Sequence, residues 1–319
     1  MKVLLAGGAG YIGTLLSEHL SNNGFDVTVV DLFWFGDYLC PSVKKVKANI
    51  LDLQISDVKG FDSVVFLGGL SNDPMANFSP KANFIENAAT PSYLAYICKE
   101  AGVKRFVYAS SCSVYGFTDN QIMTETSPVS PQYPYGICKL QTEYSIMKMK
   151  DNNFRPISLR KGTVGGWSPR MRFDLVVNTM TKFALTQGKI VVHNPSLWRP
   201  LVDIRDVVQA YEKSITADLE ISEVFNICSK NYTIGSLAEE VRMALHQRGI
   251  EVAIDTRDTP DARNYLASNE KAIKYLKFKP RHEPRDSVFS ILNNIQNINF
   301  DNKKYYNIRV FKEVINEAR

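Results

Sequence analysis

Two side chains one helical turn apart, Tyr135 and Lys139, carry the clearest potential for chemistry in this sequence. They lie in Tyr133-Pro-Tyr-Gly-Ile-Cys-Lys139, where Pro134 suits the first turn of a helix. Residues four apart share one helix face, so the ammonium group is expected beside the phenol. A phenol has a pKa of about 10, and a nearby cation lowers it. Tyr135 is therefore a candidate base that removes a hydroxyl proton near neutral pH.

A hydroxyl-rich segment precedes this helix. The segment 104–109, Lys-Arg-Phe-Val-Tyr-Ala, is expected to form a strand, and Ser110-Ser-Cys-Ser113 follows at its carboxyl end. Ligands of parallel sheets lie at the carboxyl ends of the strands, so Ser111 is placed to hydrogen-bond the same substrate oxygen as Tyr135. A Tyr-x-x-x-Lys pair alone is a common pattern on helix surfaces. Here it follows a glycine-rich turn, Asp31 and the serine-rich strand end, and this order of motifs makes it a candidate catalytic pair.

A glycine-rich turn near the start of the chain predicts a dinucleotide site. Gly7, Gly10 and Gly13 follow an apolar strand in the pattern G-x-x-G-x-x-G, and an amphipathic helix over 11–22 begins within this pattern. Glycines let the backbone approach a pyrophosphate, and the helix N-terminus presents free N–H groups to it. Asp31 ends the next apolar run, where a carboxylate accepts hydrogen bonds from a ribose 2′-hydroxyl and repels a 2′-phosphate. We therefore expect NAD rather than NADP as the cofactor. The nicotinamide ring of NAD accepts a hydride.

The elements that position these residues alternate between strand and helix. We expect strands near 2–6, 26–31, 44–48, 63–67, 104–109 and 156–160, and helices near 11–22, 80–101 and 134–150. This alternation predicts an α/β fold with a Rossmann-type, doubly wound parallel sheet. Leu67 ends the fourth strand, Gly68 and Gly69 follow it, and all three would lie against the cofactor.

The alternation loosens after Gly165-Gly-Trp-Ser-Pro169. Beyond it we expect helices over 173–187 and 236–248, strands at 189–193 and 225–228, and a strand turn with a helix over 201–217. Thr233 or Ser236 would cap the helix over 236–248. We assign 1–165 and 201–235 to the NAD-binding domain. Residues 166–200 and 236–319 would form a smaller C-terminal α/β domain that binds substrate.

Composition and charge indicate an ordinary globular protein. The 319 residues are 45% hydrophobic and 22% charged, and the net charge of +5 is dispersed apart from Lys44-Lys-Val-Lys47. This disfavours a nucleic-acid-binding protein. No apolar run approaches the ~18 residues that cross a bilayer, and the N-terminal strand is too short for a signal peptide.

Cysteine and histidine usage points to a reduced compartment and no metal. The five cysteines are odd in number and scattered, which predicts free thiols in a cytoplasmic protein. The four histidines are far apart in the sequence, and no short-range pair has the spacing of metal ligands. We therefore expect neither a disulfide framework nor a metal site.

Taken in order, the motifs resemble those of the extended short-chain dehydrogenase/reductases, which are nucleotide-sugar epimerases, dehydratases and dehydrogenases. The resemblance covers nearly the whole chain. Its motifs are Gly7-x-x-Gly10-x-x-Gly13, Asp31, Ser110-Ser-x-Ser-Val-Tyr-Gly116, Tyr135-x-x-x-Lys139 and Trp198-Arg-Pro-Leu-Val-Asp-Ile-Arg-Asp206. The UDP-glucose 4-epimerase and GDP-heptose 4-dehydrogenase types are the most similar, the latter through 168–174 and 263–269.

The resemblance implies roles for individual residues. Ser111 and Tyr135 would contact the 4-hydroxyl of a sugar, and Lys139 the nicotinamide ribose. Besides the glycine turn, Asp31, Tyr135 and Lys139, the expected NAD contacts are Tyr11, Ile12, Asn49, Ile50, Leu67, Gly68, Gly69 and Asn87. Besides Ser111, the expected substrate contacts are Ser113, Thr163, Asn178, Arg199 and Arg263. Arg199 and Arg263 are expected at the diphosphate of the substrate, because a guanidinium fork matches the oxygens of a diphosphate.

Departures from the family pattern bear on the reaction. Dehydratases of this family have an Asp-Glu pair after the catalytic hydroxyl, and Cys112 and Ser113 stand there instead, which disfavours a dehydratase. Thr163 replaces the Asn that usually follows Leu159-Arg160, which suggests a different substrate or pose. Asn49 replaces an acidic residue beside adenine, and its amide can still hydrogen-bond the base.

The main hypothesis is an NAD-dependent epimerase that transiently oxidises C4 of a nucleoside-diphosphate sugar. The alternative is a 4-dehydrogenase or 4-ketoreductase with a net redox change, and a third interpretation is a non-catalytic dinucleotide sensor. The helices over 80–101 and 134–150 carry apolar residues that serve either a homodimer with a four-helix bundle or packing on the sheet: Tyr93, Tyr96, Ile97, Ile146 and Met147.

Overall fold

Parallel strands and helices alternate through most of the chain. The structure, a computed structural model, describes residues 1–257 and 264–317. The strands are β1 Lys2–Ala6, β2 Asp26–Asp31, β3 Lys44–Lys47, β4 Ser63–Phe66, β5 Arg105–Ser111, β6 Phe117–Met123, β7 Arg155–Lys161, β8 Thr163–Gly165, β9 Lys189–His193, β10 Trp198–Asp203, β11 Val224–Ile227, β12 Lys230–Thr233, β13 Ala253–Arg257 and β14 Asn264–Ala267. The α-helices are α1 Tyr11–Asn22, α2 Ile55–Val58, α3 Asp73–Phe78, α4 Pro80–Phe84, α5 Thr90–Glu100, α6 Pro134–Lys148, α7 Val176–Gln187, α8 Ile204–Thr216, α9 Ile234–His246, α10 Glu270–Leu276, α11 Pro284–Leu292 and α12 Asn307–Glu317.

Seven parallel strands form the main sheet, in the order β11-β7-β5-β4-β1-β2-β3. β1 pairs with β2 on one side and with β4 on the other, so the strand order reverses between β1 and β4. Ligands of doubly wound sheets bind outside the carboxyl ends of the strands at such a reversal. The predicted Rossmann-type sheet is confirmed, and its topology places a ligand site next to the glycine turn.

Helices cover both faces of this sheet, and each face has its own core. On one face α1 and α8 contribute Leu16, Leu20 and Tyr211. On the other face α5 and α6 contribute Leu94 and Ile146. Strands buried on both faces consist of nearly continuous apolar residues, which explains the runs seen in the sequence.

Two of the apolar residues considered for a subunit interface are part of this core. Ile97 is 2% exposed and Ile146 is 0% exposed, so both pack on the sheet. The idea that they are outward-facing interface positions is therefore wrong. The helical period alone does not distinguish the face turned to the sheet from the face turned outward. Tyr96, by contrast, is 51% exposed.

The remaining strands form small sheets, in the orders β12-β10-β8, β13-β9 and β14-β6. α7, α9 and α11 share a separate core that includes Val177, Leu237 and Val288. β11 joins the main sheet, whereas β10 and β12 pair with each other outside it. The proposed division into two domains, with its boundaries, stays a prediction.

Two regions differ from their expected secondary structure. The helix expected over 80–101 contains a π-helical turn, Ile85–Ala89, between α4 and α5. Such turns insert one residue into a helix and are frequent at functional sites. The sequence patterns assign no helix or strand beyond residue 248, yet this region contains β13, β14, α10, α11 and α12. Within the described part of the chain, none of the helices combines the length and the apolar content needed to cross a membrane.

Candidate active site

The glycine turn between β1 and α1 is held close to the segment after β4. Gly7 has a φ of +77°, and a Cβ there would lie 2.3 Å from the Cα of Gly68. A Cβ at Gly13 would lie 2.3 Å from the carbonyl oxygen of Gly8. Both positions therefore require glycine, the first for its left-handed backbone and both for close backbone approach.

A cleft opens above this turn. The predicted cofactor-binding residues that line it are Gly7, Gly10, Tyr11, Ile12, Gly13, Asp31, Asn49, Ile50, Leu67, Gly68 and Gly69. Lining residues that the sequence analysis missed include Trp34, Phe35, Glu86, Arg170, Arg172 and Asn307.

Asp31 reaches the cleft from the end of β2. Its carboxylate accepts hydrogen bonds from the backbone N–H groups of Ala9, at 2.9 Å, and Phe33, at 2.7 Å. Burial raises the pKa of Asp31, and these two hydrogen bonds oppose the rise. The carboxylate is thus fixed in orientation at the place where the fold family binds the adenosine ribose.

We expect Asp31→Asn to relax the preference for NAD over NADP. Asn keeps a hydrogen-bonding oxygen but lacks the charge that repels a 2′-phosphate. The ratio of NADP to NAD affinity should rise about tenfold, which equals ~1.4 kcal/mol. Calorimetric titration of the cofactor-free protein with each dinucleotide measures it. Asp37→Asn is the matched control, because Asp37 pairs with Lys45 and does not line the cleft. An unchanged ratio in Asp31→Asn would show that the carboxylate does not face the ribose.

The three predicted catalytic side chains come together beside this cleft. The Ser111 hydroxyl lies near the Tyr135 phenol and lowers the pKa of that phenol. Ser113 donates its hydroxyl to Ser111 Oγ at 3.0 Å. Lys139 Nζ lies 5.6 Å from the ring centroid of Tyr135 and 5.2 Å from that of Tyr108. The end of β5 and the first turns of α6 therefore hold two hydroxyls and an ammonium in one small volume.

The electrostatics of the cofactor-free site hold the phenol protonated. Burial raises the pKa of Tyr135, and the Arg172 guanidinium opposes that rise. Burial lowers the pKa of Lys139 to about 7, so its charge is lost near neutral pH. Lys139 alone is therefore a weaker source of positive charge than the sequence suggested. Arg172 was missed because it is distant in sequence and no local pattern joins it to Tyr135.

The chain matches the model of the NAD dependent epimerase/dehydratase family over residues 3–228. The protein belongs to this family. The UDP-glucose 4-epimerase of Lactobacillus helveticus is 26% identical over 318 residues, covering 91% of this chain and 95% of that protein. The UDP-glucose 4-epimerase of Corynebacterium glutamicum is 27% identical over 304 residues, covering 88% and 92%.

Solved structures show the same fold over almost the full length. MoeE5 in complex with UDP-glucuronic acid and NAD superimposes with a TM-score of 0.82 at 23% identity, covering 93% of this chain and 99% of that chain. The UDP-glucose 4-epimerase of Thermotoga maritima superimposes with a TM-score of 0.81 at 23% identity, with the same coverage. The NAD dependence of the family agrees with the glycine turn and with Asp31, and NAD is the cofactor.

For this member of the family, we expect Lys139→Met to abolish most activity without destabilising the cofactor-free protein at neutral pH. The side chain is 3% exposed, and its pKa of about 7 lies below that of a lysine in the unfolded chain, which is about 10.4. The unfolded chain therefore binds more protons between these values, so the cost of burying Lys139 is full below about pH 7 and declines as pH rises.

Denaturant unfolding at pH 6 and pH 9 measures this effect. At pH 6 the Lys139→Met variant should have a higher free energy of unfolding than the unmodified protein, and this difference should be smaller at pH 9. Lys148→Met is the control, because Lys148 lies in the last turn of the same helix and is exposed. A Lys139→Met variant that is less stable than the unmodified protein at pH 6 would contradict the assigned burial cost.

A buried ion pair anchors α6, the helix that carries Tyr135. Glu143 follows Tyr135 by about two turns of α6, and its carboxylate accepts hydrogen bonds from Arg160 Nη2 at 2.5 Å and Nε at 3.1 Å. Ser158 donates to the same carboxylate at 3.0 Å, and Arg160 Nη1 donates to the Tyr115 hydroxyl at 2.9 Å. The network joins α6 to β7 and to the turn after β5, which fixes the helix that carries the phenol.

Two predicted contacts on the cofactor side have internal roles that the sequence did not show. Asn87 is fully buried in the π-helical turn and donates to the Leu70 carbonyl at 2.9 Å. Asn49 Oδ1 accepts the N–H of Leu51 at 3.1 Å, and its amide nitrogen has no partner among the described residues. Asn49 therefore keeps a donor for a ligand, while Asn87 shapes the segment next to Gly69. Their contacts with NAD stay predictions.

Asn178, a predicted substrate contact, is buried and bonded within the protein. Its Oδ1 accepts the N–H of Gly166 at 2.9 Å, and its Nδ2 donates to the Arg172 carbonyl at 3.0 Å and to the Tyr11 hydroxyl at 3.2 Å. The Tyr11 hydroxyl in turn donates to the Gly166 carbonyl at 2.6 Å. These bonds hold the segment 166–172 against α1. A direct contact of Asn178 with substrate stays a prediction.

Two further predicted substrate contacts, Thr163 and Arg199, lie in the small sheets. Thr163 begins β8 and pairs with Leu201 of β10. Arg199 is 8% exposed on β10 and donates to the Trp198 carbonyl at 2.8 Å. Arg263 lies outside the described residues. No cluster of three or more His, Cys, Asp or Glu side chains suited to a metal occurs in 1–257 or 264–317.

Proposed function

We propose that the protein is a nucleoside-diphosphate-sugar 4-epimerase that oxidises C4 transiently and returns the hydride to the opposite face. The observation that carries this proposal is the meeting of Tyr135, Ser111 and Lys139 beside the dinucleotide cleft. Arg172 links the two parts, because it lines the cleft and also acts on the pKa of Tyr135. A base for a hydroxyl proton thus lies next to the site of a hydride acceptor.

The chain's own residues account for the proton half of the reaction. Ser111 and Tyr135 would hold the sugar 4-hydroxyl, and Tyr135 would take its proton. NAD, when bound, supplies the hydride acceptor and adds a positive charge that lowers the pKa of the phenol. Because Tyr135 is half-buried and Lys139 is buried, the proton stays at the phenol until the sugar presents its other face. Tyr135 then returns it to the same oxygen.

The relatives support an epimerase and a uridine-diphosphate sugar. Curated relatives with 26% and 27% identity over most of the chain are UDP-glucose 4-epimerases. Cys112, at the place of the dehydratase acid, is fully buried and donates its thiol to the Arg160 carbonyl at 3.2 Å. Burial raises the pKa of this thiol well above its usual value. It therefore offers no acid or base for the elimination of water.

Turnover without added cofactor tests the proposal. Purified protein with only its copurified NAD is incubated separately with UDP-glucose, UDP-glucuronic acid and UDP-N-acetylglucosamine, and the 4-epimer is followed by proton NMR. We expect many turnovers per bound NAD for one of them. Formation of one ketone and one NADH per site, with no epimer, would overturn the epimerase and support the 4-dehydrogenase alternative.

We also propose a homodimer in the cytoplasm. Exposed apolar side chains occur on α4, α5 and α6, namely Phe84, Tyr96, Ile137 and Tyr144. α6 packs against both α4 and α5, and apolar side chains exposed on neighbouring helices favour a protein contact that two helices from each copy would cover. The cysteines are free, four of them buried, which suits a reducing compartment. Analytical ultracentrifugation tests the dimer.

A further inference from the structure

One buried arginine in the cleft lacks a counter-ion. Arg170 follows β8 and lines the cleft, and it is 1% exposed. Its Nη2 donates to Asn307 Oδ1, and its guanidinium carbon lies 3.7 Å from the ring centroid of Phe35. Its Nε has no hydrogen-bond partner. Among the described residues, no carboxylate lies within ion-pair distance of it.

The other cation of the cleft wall is already neutralised. Arg172 donates Nε and Nη2 to the two carboxylate oxygens of Asp174, at 2.9 and 2.8 Å. Arg170 is therefore the lining cation that is left for a ligand. A buried, unpaired guanidinium N–H is unfavourable, and burial lowers the pKa of Arg170 to about 9. An anionic group bound in the cleft would remove both penalties.

We propose that Arg170 binds the diphosphate of the dinucleotide, together with the free N–H groups at the start of α1. A guanidinium donates to phosphate oxygens through two or more N–H groups in a fixed plane, and the Nε–H is available for this. The Asp31 carboxylate lies close enough to Arg170 to raise the pKa of its guanidinium. A 2′-phosphate is disfavoured as the ligand, because this carboxylate would repel the phosphate. The assignment depends on the NAD dependence of the family and not on the epimerase reaction.

Asn307 acts as a positioning residue for this arginine. It is 4% exposed at the start of α12, accepts the Arg170 Nη2–H and donates its own amide to Ser71 Oγ at 2.7 Å. Phe311, one turn later, packs against the ring of Trp34, with the ring centroids 6.2 Å apart. The orientation of Arg170 thus depends on how α12 docks on the cleft wall.

Binding of cofactor fragments tests the proposal without using activity. ADP, adenosine and NAD are titrated calorimetrically into cofactor-free protein with Arg170→Met. We expect ADP and NAD affinity to fall by about tenfold or more, the effect of one lost charge-assisted interaction, and adenosine affinity to change less than about twofold. Arg170→Lys, which keeps the charge without the planar fork, should lose less ADP affinity than Arg170→Met. Lys304→Met is the matched control, because Lys304 lies in the same C-terminal region, is exposed and does not line the cleft.

Each other outcome overturns the assignment. Equal losses for adenosine and ADP would mean that Arg170 only shapes the pocket. A loss for UDP with no loss for ADP would assign the arginine to the substrate diphosphate. If Arg170→Met does not fold, as judged by circular dichroism, Asn307→Ala replaces it: this variant keeps the guanidinium but releases its anchor. It should weaken ADP about threefold and spare adenosine, and unchanged ADP affinity would contradict the role of Asn307.

Discussion

Replacing Tyr135 with Phe should lower kcat by about a thousandfold while leaving NAD affinity within about twofold. General acid–base catalysis contributes about 10²- to 10⁴-fold, and the variant removes the group that exchanges the proton without changing the ring that packs beside Lys139. Epimer formation by NMR and NAD affinity by calorimetry measure the two effects. The separation matters, because a folding defect would lower both.

Tyr144→Phe is the control for this variant. Tyr144 lies on the same helix and is 58% exposed, so loss of its hydroxyl should not change kcat. A Tyr135→Phe protein with full activity would remove the phenol from the mechanism. That result would favour another base. If neither the variant nor the unmodified protein showed activity, the non-catalytic sensor would be favoured.

Replacing Glu143 with Ala should reduce the free energy of unfolding by about 3–5 kcal/mol. Removing one partner of a buried ion pair leaves an uncompensated buried charge, and that range is typical of the loss. Arg160 and Glu143 have side chains that are 6% and 3% exposed, so water cannot replace the missing carboxylate. Denaturant unfolding monitored by circular dichroism and by fluorescence measures the change.

Glu239→Ala provides the matched comparison on an exposed pair. Arg242 and Glu239 are 2.8 Å apart with side chains 40% and 54% exposed, and pairs of this kind contribute only about 0–1 kcal/mol. The double variant Arg160→Met/Glu143→Leu should be more stable than Glu143→Ala, since it removes both buried charges together. A Glu143→Ala variant within about 1 kcal/mol of the unmodified protein would contradict the anchoring role of this pair.

The parts of the fold that were predictable are those that local sequence specifies. Gly7 and Asp31 each follow an apolar run, so their motifs mark both an element and its ligand edge. Tyr135 and Lys139 lie on one helix, and their spacing alone places them on one face. The alternation of such units implies a parallel sheet, and with it the edge at which these residues meet.

The rest of the site depends on contacts that no local pattern encodes. Arg170 and Asn307 are far apart in the chain, and their bond exists only because α12 docks beside the cleft. That helix did carry a signal: Ile308, Phe311 and Ile315 are spaced as one helical face and pack around the same apolar cluster. No sequence pattern indicated the π-helical turn at Ile85–Ala89, because a one-residue insertion shifts the spacing of the apolar residues without ending the helix.

The docking of α12 has a consequence for how the protein is made. Gly7 leaves the ribosome long before Asn307, and both residues line one cleft. Domains generally fold as units during synthesis, beginning at the N-terminus. The cofactor site therefore stays incomplete while the main sheet forms, and NAD can be captured fully only after the segment around Asn307 has emerged. A chain that ends before α12 would keep its glycine turn and would bind NAD more weakly.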